Sequence, residues 1–242
     1  MSVTSRYKEA WEGFWSEAPD APGEVFWDAE PALTAGVHLA IYEPHMTEPA
    51  LSLVDLGCGN GTQTLFLAGR FPSVLGVDLA PAAIQRARRR DSGDEARFRE
   101  LDAADGALMA QLHAELGDAN VYMRGVLHQC DPQDRQAVAD GIATLVGERG
   151  RAFVVELAET AGRQLMGLAQ SPEGPPPKLR PVFRHGIVPG AVADAEVEEF
   201  FTTAGLEVLA SGDLPLTTTE YAPSGARIEL PSRWLVMGSG RA

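Results

Sequence analysis

An acid and three glycines stand close together at the end of an apolar run. Residues 53–62 read LVDLGCGNGT, so that Asp55 precedes Gly57 by two residues and Gly59 follows two residues later. The apolar run is typical of a buried parallel strand, and the glycines let the backbone turn and approach a ligand where a Cβ would be in the way. The next residues, 62–70 (TQTLFLAGR), predict a helix whose free N–H groups face that ligand.

The position of the acid distinguishes between two kinds of cofactor. In the dinucleotide fingerprint G-x-G-x-x-G, the last position is glycine or alanine, and here it is Thr62. Asp55 would repel a pyrophosphate, but it would attract a ligand that carries an ammonium and a sulfonium. We therefore expect S-adenosylmethionine as the cofactor, with S-adenosylhomocysteine as the product.

Two further acids stand in later apolar runs. The run 74–78 (VLGVD) ends in Asp78, 21 residues after Gly57, which is the offset of a carboxylate that binds ribose hydroxyls. Pro81 then predicts the first turn of a helix. A third run, 97–103 (RFRELDA), contains Asp102.

With these three stretches in order, the chain resembles the class I S-adenosylmethionine-dependent methyltransferases over roughly residues 51–156. The resemblance implies an α/β fold with a doubly wound, mostly parallel seven-stranded sheet whose last strand is reversed. It also implies which residues bind the cofactor: Asp55, Gly57, Cys58 and Gly59 at the methionine part, Asp78 and Leu79 at the ribose, and Asp102 and Ala103 at the adenine edge.

The segment after the predicted fourth strand bears on the acceptor. It reads MRGVLHQCD over 123–131 and is similar to the L-H-D segment of metal-independent small-molecule O-methyltransferases, whose histidine is the general base. His128 matches that histidine, while Gln129 replaces the acid. An imidazole titrates near neutral pH and suits this task; alternatively, His128 caps the next helix or packs. Arg124, at the strand tip, is expected to pair with the cofactor carboxylate or to lie under a lid.

Two segments fall outside the predicted sheet. Residues 1–50 form an N-terminal helical and aromatic cap, and the domain over 51–242 carries an insertion at 157–190 whose proline-rich part is predicted to be irregular. Both are expected near the carboxyl ends of the strands, where they would form the acceptor pocket together. The candidate acceptor contacts are Trp15, Phe26, Trp27 and, for an acidic acceptor, Arg184. Plain packing of the tryptophans and solvation of Arg184 are the alternatives.

The last third predicts a helix that ends at Gly205 and then a closing pair of strands. The runs 206–216 and 228–237 are expected to pair antiparallel through a turn at 223–225.

Composition limits the function classes. A chain of 242 residues with 45% hydrophobic residues is most simply one domain, or one domain plus a cap. A net charge of −14 argues against a nucleic-acid partner, and the basic run 86–90 is predicted to face water. No apolar stretch reaches the ~18 residues of a membrane span and no signal peptide is evident, so we expect a cytoplasmic protein. Two cysteines are too few for a zinc or iron–sulfur site.

These patterns predict a metal-independent methyltransferase that acts at oxygen on a small organic acceptor. Two alternatives stay open: methyl transfer to a carboxylate guided by Arg180 or Arg184, and binding of S-adenosylmethionine without methyl transfer. The aromatic N-terminus could also be exchanged between the subunits of a homodimer.

Overall fold

The computed structural model describes residues 4–172, 174–187 and 190–240, with the side chains of residues 4–6 left aside. The α-helices are α1 (Thr4–Glu17), α2 (Ala35–Tyr42), α3 (Thr62–Ala68), α4 (Pro81–Arg90), α5 (Gly106–Leu116), α6 (Arg135–Val146), α7 (Ala161–Ala169), α8 (Arg180–Arg184) and α9 (Asp194–Thr203). The strands are β1 (Leu53–Leu56), β2 (Val74–Asp78), β3 (Arg97–Glu100), β4 (Asn120–Arg124), β5 (Arg151–Leu157), β6 (Leu206–Asp213), β7 (Leu216–Tyr221), β8 (Arg227–Leu230) and β9 (Ser232–Ser239).

Seven strands form the main sheet in the order β3-β2-β1-β4-β5-β9-β6. Strands β1 to β5 are parallel, and β9 runs antiparallel to both β5 and β6. The fold predicted from the strand runs is therefore confirmed. Because the strand order reverses between β1 and β4, the loops after these strands diverge and leave a crevice at their carboxyl ends.

Helices cover the sheet on both faces, and its central strands are mostly apolar and buried. All four residues of β1 are buried. One face packs against α5, α6 and α9, and the other against α2 and α3. On the second face, Tyr122, Phe153 and Trp234 form a row of stacked rings across three neighbouring strands, with ring centroids 6.0 and 6.3 Å apart. This rigid base supports the crevice.

The antiparallel pairing of the last two runs is confirmed, but the turn predicted to join them lies elsewhere. β6 pairs with β9, whereas the turn at 223–225 joins β7 to β8 in a separate two-stranded sheet. Pro215 and Pro231 stand where the predicted long ladder would continue, and proline has no N–H to donate to it. The hairpin therefore leaves the sheet, and its apolar side chains pack with the cap and the insertion.

Part of the proline-rich segment is helical, which also corrects the prediction. Residues Pro177–Leu179 form a short 3₁₀ helix that leads into α8, and each begins with a proline in its first turn. Proline is tolerated there because the first N–H groups of a helix have no intrahelical partner.

The basic run on α4 attaches the cap, whereas the sequence predicted a solvated face. Arg86 donates to the Trp15 carbonyl and pairs with Asp20, and its side chain is only 11% exposed. Arg90 donates to the Thr62 hydroxyl at 2.6 Å. Only Arg89, with its side chain 57% exposed, behaves as predicted among these three arginines. Within the ranges described above, no helix combines the length and apolarity needed to cross a membrane.

Candidate functional site

A cavity of about 210 Å³ lies over the carboxyl ends of β1, β2 and β4. Nearly all residues that the sequence predicted as site residues line it: Asp55, Gly57, Cys58, Gly59, Asp78, Leu79, Asp102, Ala103, Arg124, His128, Trp15, Phe26 and Trp27. The topology brings these residues together from the ends of four strands, β1 to β4, from the cap and from the loop after β4.

The glycine loop after β1 is shaped by close contacts. Gly57 has φ +76°, and a Cβ there would lie 2.5 Å from Cγ2 of Val126. Gly59 has φ +55°, and a Cβ there would lie 2.8 Å from the ring of Trp15. Both positions therefore require glycine for conformation and for space. The Gly59 N–H donates to Asp78 Oδ2 at 2.9 Å, which holds the loop against the end of β2.

Of the two acids nearest this loop, Asp55 is buried and Asp78 is partly buried. Burial raises the pKa of Asp55 to about 6, while a hydrogen bond from Thr64 and the positive charge of Arg124 oppose that rise. Burial also raises the pKa of Asp78 to about 6, against hydrogen bonds from backbone N–H groups, first that of Ala80. Carboxylates held in this way bind a cationic ligand favourably, because its charge offsets the cost of their desolvation.

At the far end of the cavity, several acceptors converge near the third strand. Asp102 Oδ1 accepts a hydrogen bond from Ala104 N at 2.9 Å, whereas Asp105 caps α5. The two neighbouring acids therefore have different roles. Gln129 Oε1 and Asp131 Oδ2 are buried and have no hydrogen-bond partner within the described ranges. Because buried acceptors are normally paired, these atoms favour a ligand that brings N–H donors.

His128 lies in a short 3₁₀ turn after β4 and is held by Glu156. Its Nδ1 is 2.7 Å from Glu156 Oε2, and both side chains are buried. The same carboxylate accepts from the N–H groups of Val126 and Leu127 at 2.7 and 2.8 Å. A carboxylate that accepts these bonds also accepts the Nδ1 proton, which leaves Nε2 with its lone pair.

The cap is attached directly to the glycine loop. Asp28 Oδ2 accepts from Asn60 Nδ2 and from the Thr62 hydroxyl, each at 2.9 Å. Arg124 donates to the Trp27 carbonyl at 3.0 Å and so lies under the cap. This is one of the two positions that the sequence predicted for it. The cap therefore forms a wall of the cavity.

Arg184 does not lie where the sequence predicted. Its guanidinium donates to Glu17 at 2.7 Å, its side chain is 63% exposed, and it is absent from the cavity lining formed by the described residues. The prediction that it contacts an acceptor is wrong, because an acid on α1 attracts it outward.

Sequence reasoning also missed contributors to the cavity. Glu156, which holds His128 at the cavity, stands one residue before the end of β5 as an acid after an apolar run. The same pattern identified Asp55 and Asp78, so Glu156 could have been found in that way. Leu216 and Leu230 of the hairpin line the cavity without any comparable signal.

The strand order, the glycine loop and the carboxylates at successive strand ends define a nucleoside-binding methyltransferase fold. A family model described as "Methyltransferase domain" matches residues 53–150. A SAM-dependent methyltransferase from Anabaena variabilis is 29% identical, with a TM-score of 0.88 over 99% of this chain and 96% of its own. Magnesium protoporphyrin IX methyltransferase of Synechocystis, solved with bound S-adenosylmethionine, shares the fold at a TM-score of 0.61 and 16% identity, over 99% of this chain and 98% of its own.

A trans-aconitate 2-methyltransferase from Methylobacterium nodulans is 28% identical over 72% of this chain and 63% of its own length. The chain spans less than two thirds of the length of the curated relatives it matches. The match over residues 53–150 and the shared fold support a class I S-adenosylmethionine-dependent methyltransferase.

Proposed function

We propose that the protein transfers the methyl group of S-adenosylmethionine to the hydroxyl oxygen of a small organic acceptor, with His128 as the general base. The observation that carries the proposal is that His128 lines the cavity while its Nδ1 lies 2.7 Å from Glu156 Oε2. Asp55 would hold the ammonium of the cofactor, Asp78 its ribose hydroxyls, and Asp102 with Gln129 and Asp131 its adenine edge.

The cofactor supplies an activated methyl group, so the protein must align the acceptor, exclude water and remove one proton. Glu156 fixes the imidazole so that Nε2 is free to accept the hydroxyl proton as the oxygen–carbon bond forms. After transfer, the imidazolium is stabilised by the same carboxylate. This route requires no metal ion.

The alternative route, methyl transfer to a carboxylate, takes its support from the trans-aconitate methyltransferase among the relatives. It requires a cation to hold the acid. Arg184 points to Glu17, and Arg180 donates to the Pro175 carbonyl. These contacts favour the hydroxyl route.

The test compares wild-type protein with His128→Gln and Glu156→Gln, using methyl-labelled cofactor and a panel of hydroxylated ring compounds. We expect kcat to fall about 100-fold in His128→Gln, with the affinity for S-adenosylhomocysteine unchanged. Full activity of His128→Gln, or label found only in methyl esters, would refute the proposal.

A further inference from the structure

The half of the cavity away from the glycine loop is built by three segments outside the parallel strands. These are the cap, the insertion after β5 and the β7–β8 hairpin, and their side chains form one continuous apolar cluster. We call the part of the cavity that they line the acceptor wall. Its lining residues are apolar or aromatic apart from Asp28, and they include Tyr7, Trp11, Trp27, Val182, Phe183 and Leu216.

Among the described residues that line the acceptor wall, Asp28 is the one acid, and its carboxylate is already hydrogen-bonded. Asp28 accepts from Asn60 and Thr62 at 2.9 Å each, so its carboxylate faces the glycine loop. The other acids of the cavity follow the parallel strands, where the cofactor carries its positive charge. An acceptor with an ammonium group would therefore find no free carboxylate on the acceptor wall.

The cations of the insertion are also directed away from the cavity. Lys178 donates to the carbonyls of Gly23 and Thr219 at 2.7 and 3.4 Å. Arg184 and His185 both contact Glu17, at 2.7 and 3.2 Å. Arg124, the one arginine among the described lining residues, belongs to the end of β4 and donates to the Trp27 carbonyl at 3.0 Å. A carboxylate on the acceptor wall would therefore lose its hydration without meeting a cation that belongs to the wall, which is costly.

Aromatic rings make up most of the rest of the acceptor wall. Trp27 lies at the centre, with Trp11 and Trp15 edge-on at centroid distances of 5.5 and 6.3 Å and Phe14 tilted at 5.3 Å. Three of these rings, those of Trp11, Trp15 and Trp27, line the cavity. Aromatic side chains in such edge and face arrangements suit flat rings, which gain both buried area and favourable ring geometry.

Building on the proposed function, we propose that the acceptor is a neutral, flat ring compound and that the acceptor wall discriminates against carboxylates. Trp27 and Phe183 are the residues that we expect to set this selectivity. The proposal concerns the acceptor class and is independent of which residue removes the proton.

Binding to the protein saturated with S-adenosylhomocysteine tests this without any methyl transfer. The probes are 2-naphthol, 2-naphthamide and 2-naphthoate at pH 7.5, measured by calorimetry. We expect the two neutral compounds to bind at least tenfold more tightly than naphthoate. Equal or tighter binding of naphthoate, or no binding of either neutral compound, would overturn the proposal.

Variants make the test specific to the acceptor wall. Phe183→Arg should bind naphthoate more tightly and naphthamide more weakly than the wild-type protein does. Trp27→Ala should lower the affinity for naphthamide about tenfold. Trp27→Phe should keep most of the affinity for naphthamide. Arg184→Ala is the matched control and should leave all three affinities within twofold. A selective loss of naphthoate binding in Arg184→Ala would show that this arginine does serve an acid. His128→Gln should leave naphthamide binding unchanged, so failure of the catalytic proposal remains distinguishable from failure of this one.

Discussion

Three carboxylates near strand ends, those of Asp55, Asp78 and Glu156, have most of the proposed roles in this site. Asp55 lies buried and Asp78 partly buried beside the glycine loop. The Glu156 carboxylate accepts hydrogen bonds from the backbone N–H groups of the turn that contains His128 and lies 2.7 Å from His128 Nδ1. Each of the three carboxylates stands at the carboxyl end of a strand or one residue before it. Their common position explains why one crevice contains both the cofactor contacts and the proposed base.

The pH dependence of cofactor binding follows from the first two acids. Burial raises the pKa of both Asp55 and Asp78 to about 6, and the ionised forms bind the cofactor. As pH falls through 6 the carboxyls are protonated. If both contact the cofactor as proposed, the affinity for S-adenosylhomocysteine should fall by about tenfold per carboxyl at pH 5. Calorimetry from pH 5 to 8 measures this, and a flat profile would contradict it.

The stability of the ligand-free protein should rise, not fall, as the pH is lowered. Because these pKa values lie above the unfolded value of 3.8, the folded state binds more protons between about pH 4 and 6. Their contribution to the free energy of unfolding therefore rises as pH falls through that window. Asp78→Asn should reduce this slope in denaturant titrations, and an unchanged slope would show that Asp78 is not the group that titrates.

At the scale of elements, the sequence predicted β1 to β5, α3, α4, α6 and α9 because their apolar periodicity and their caps agree. It did not predict the hairpin, since the residues 216–230 bury only a few side chains and their partners come from distant segments. It also misassigned Arg86 and Arg184, because their partners Asp20 and Glu17 belong to the cap. Long-range contacts of this kind leave no local pattern.

The attachment of the cap to α4 predicts a role for Arg86. This side chain donates to the carbonyls of Trp15 and Ser16 and pairs with Asp20. Arg86→Ala removes these bonds, so we expect faster proteolysis within the first 20 residues and a several-fold higher KM for the acceptor. Arg89→Ala, which removes an exposed pair, is the control. Equal proteolysis of the two variants would show that Arg86 does not hold the cap.

At the scale of the whole molecule, the cap, the sheet edge and the insertion enclose one cavity. A ligand that fills it should stabilise all of them together. At about 100 times its dissociation constant, S-adenosylhomocysteine should add about 2.7 kcal/mol to the free energy of unfolding. Thermal unfolding with and without the ligand measures this. Asp78→Asn should lose most of the shift, while Arg89→Ala should keep it.

Hydrogen exchange should show how far this stabilisation extends. We expect slower exchange in α1 and in the glycine loop when the ligand is bound, because the Trp15 ring lies against Gly59. The pair β6 and β9 at the far edge should change little. Protection confined to β6 and β9 would place the ligand elsewhere.

The identity of the methylated atom tests the central claim most directly. A mixture of 2-naphthol and 2-naphthoate is incubated with the protein and ¹³C-methyl-labelled S-adenosylmethionine, and the product is identified by its ¹³C chemical shift. The account predicts the methyl ether of naphthol, formed by wild-type protein and lost in His128→Gln. A methyl ester as the main product, or an ether formed equally well without His128, would contradict it.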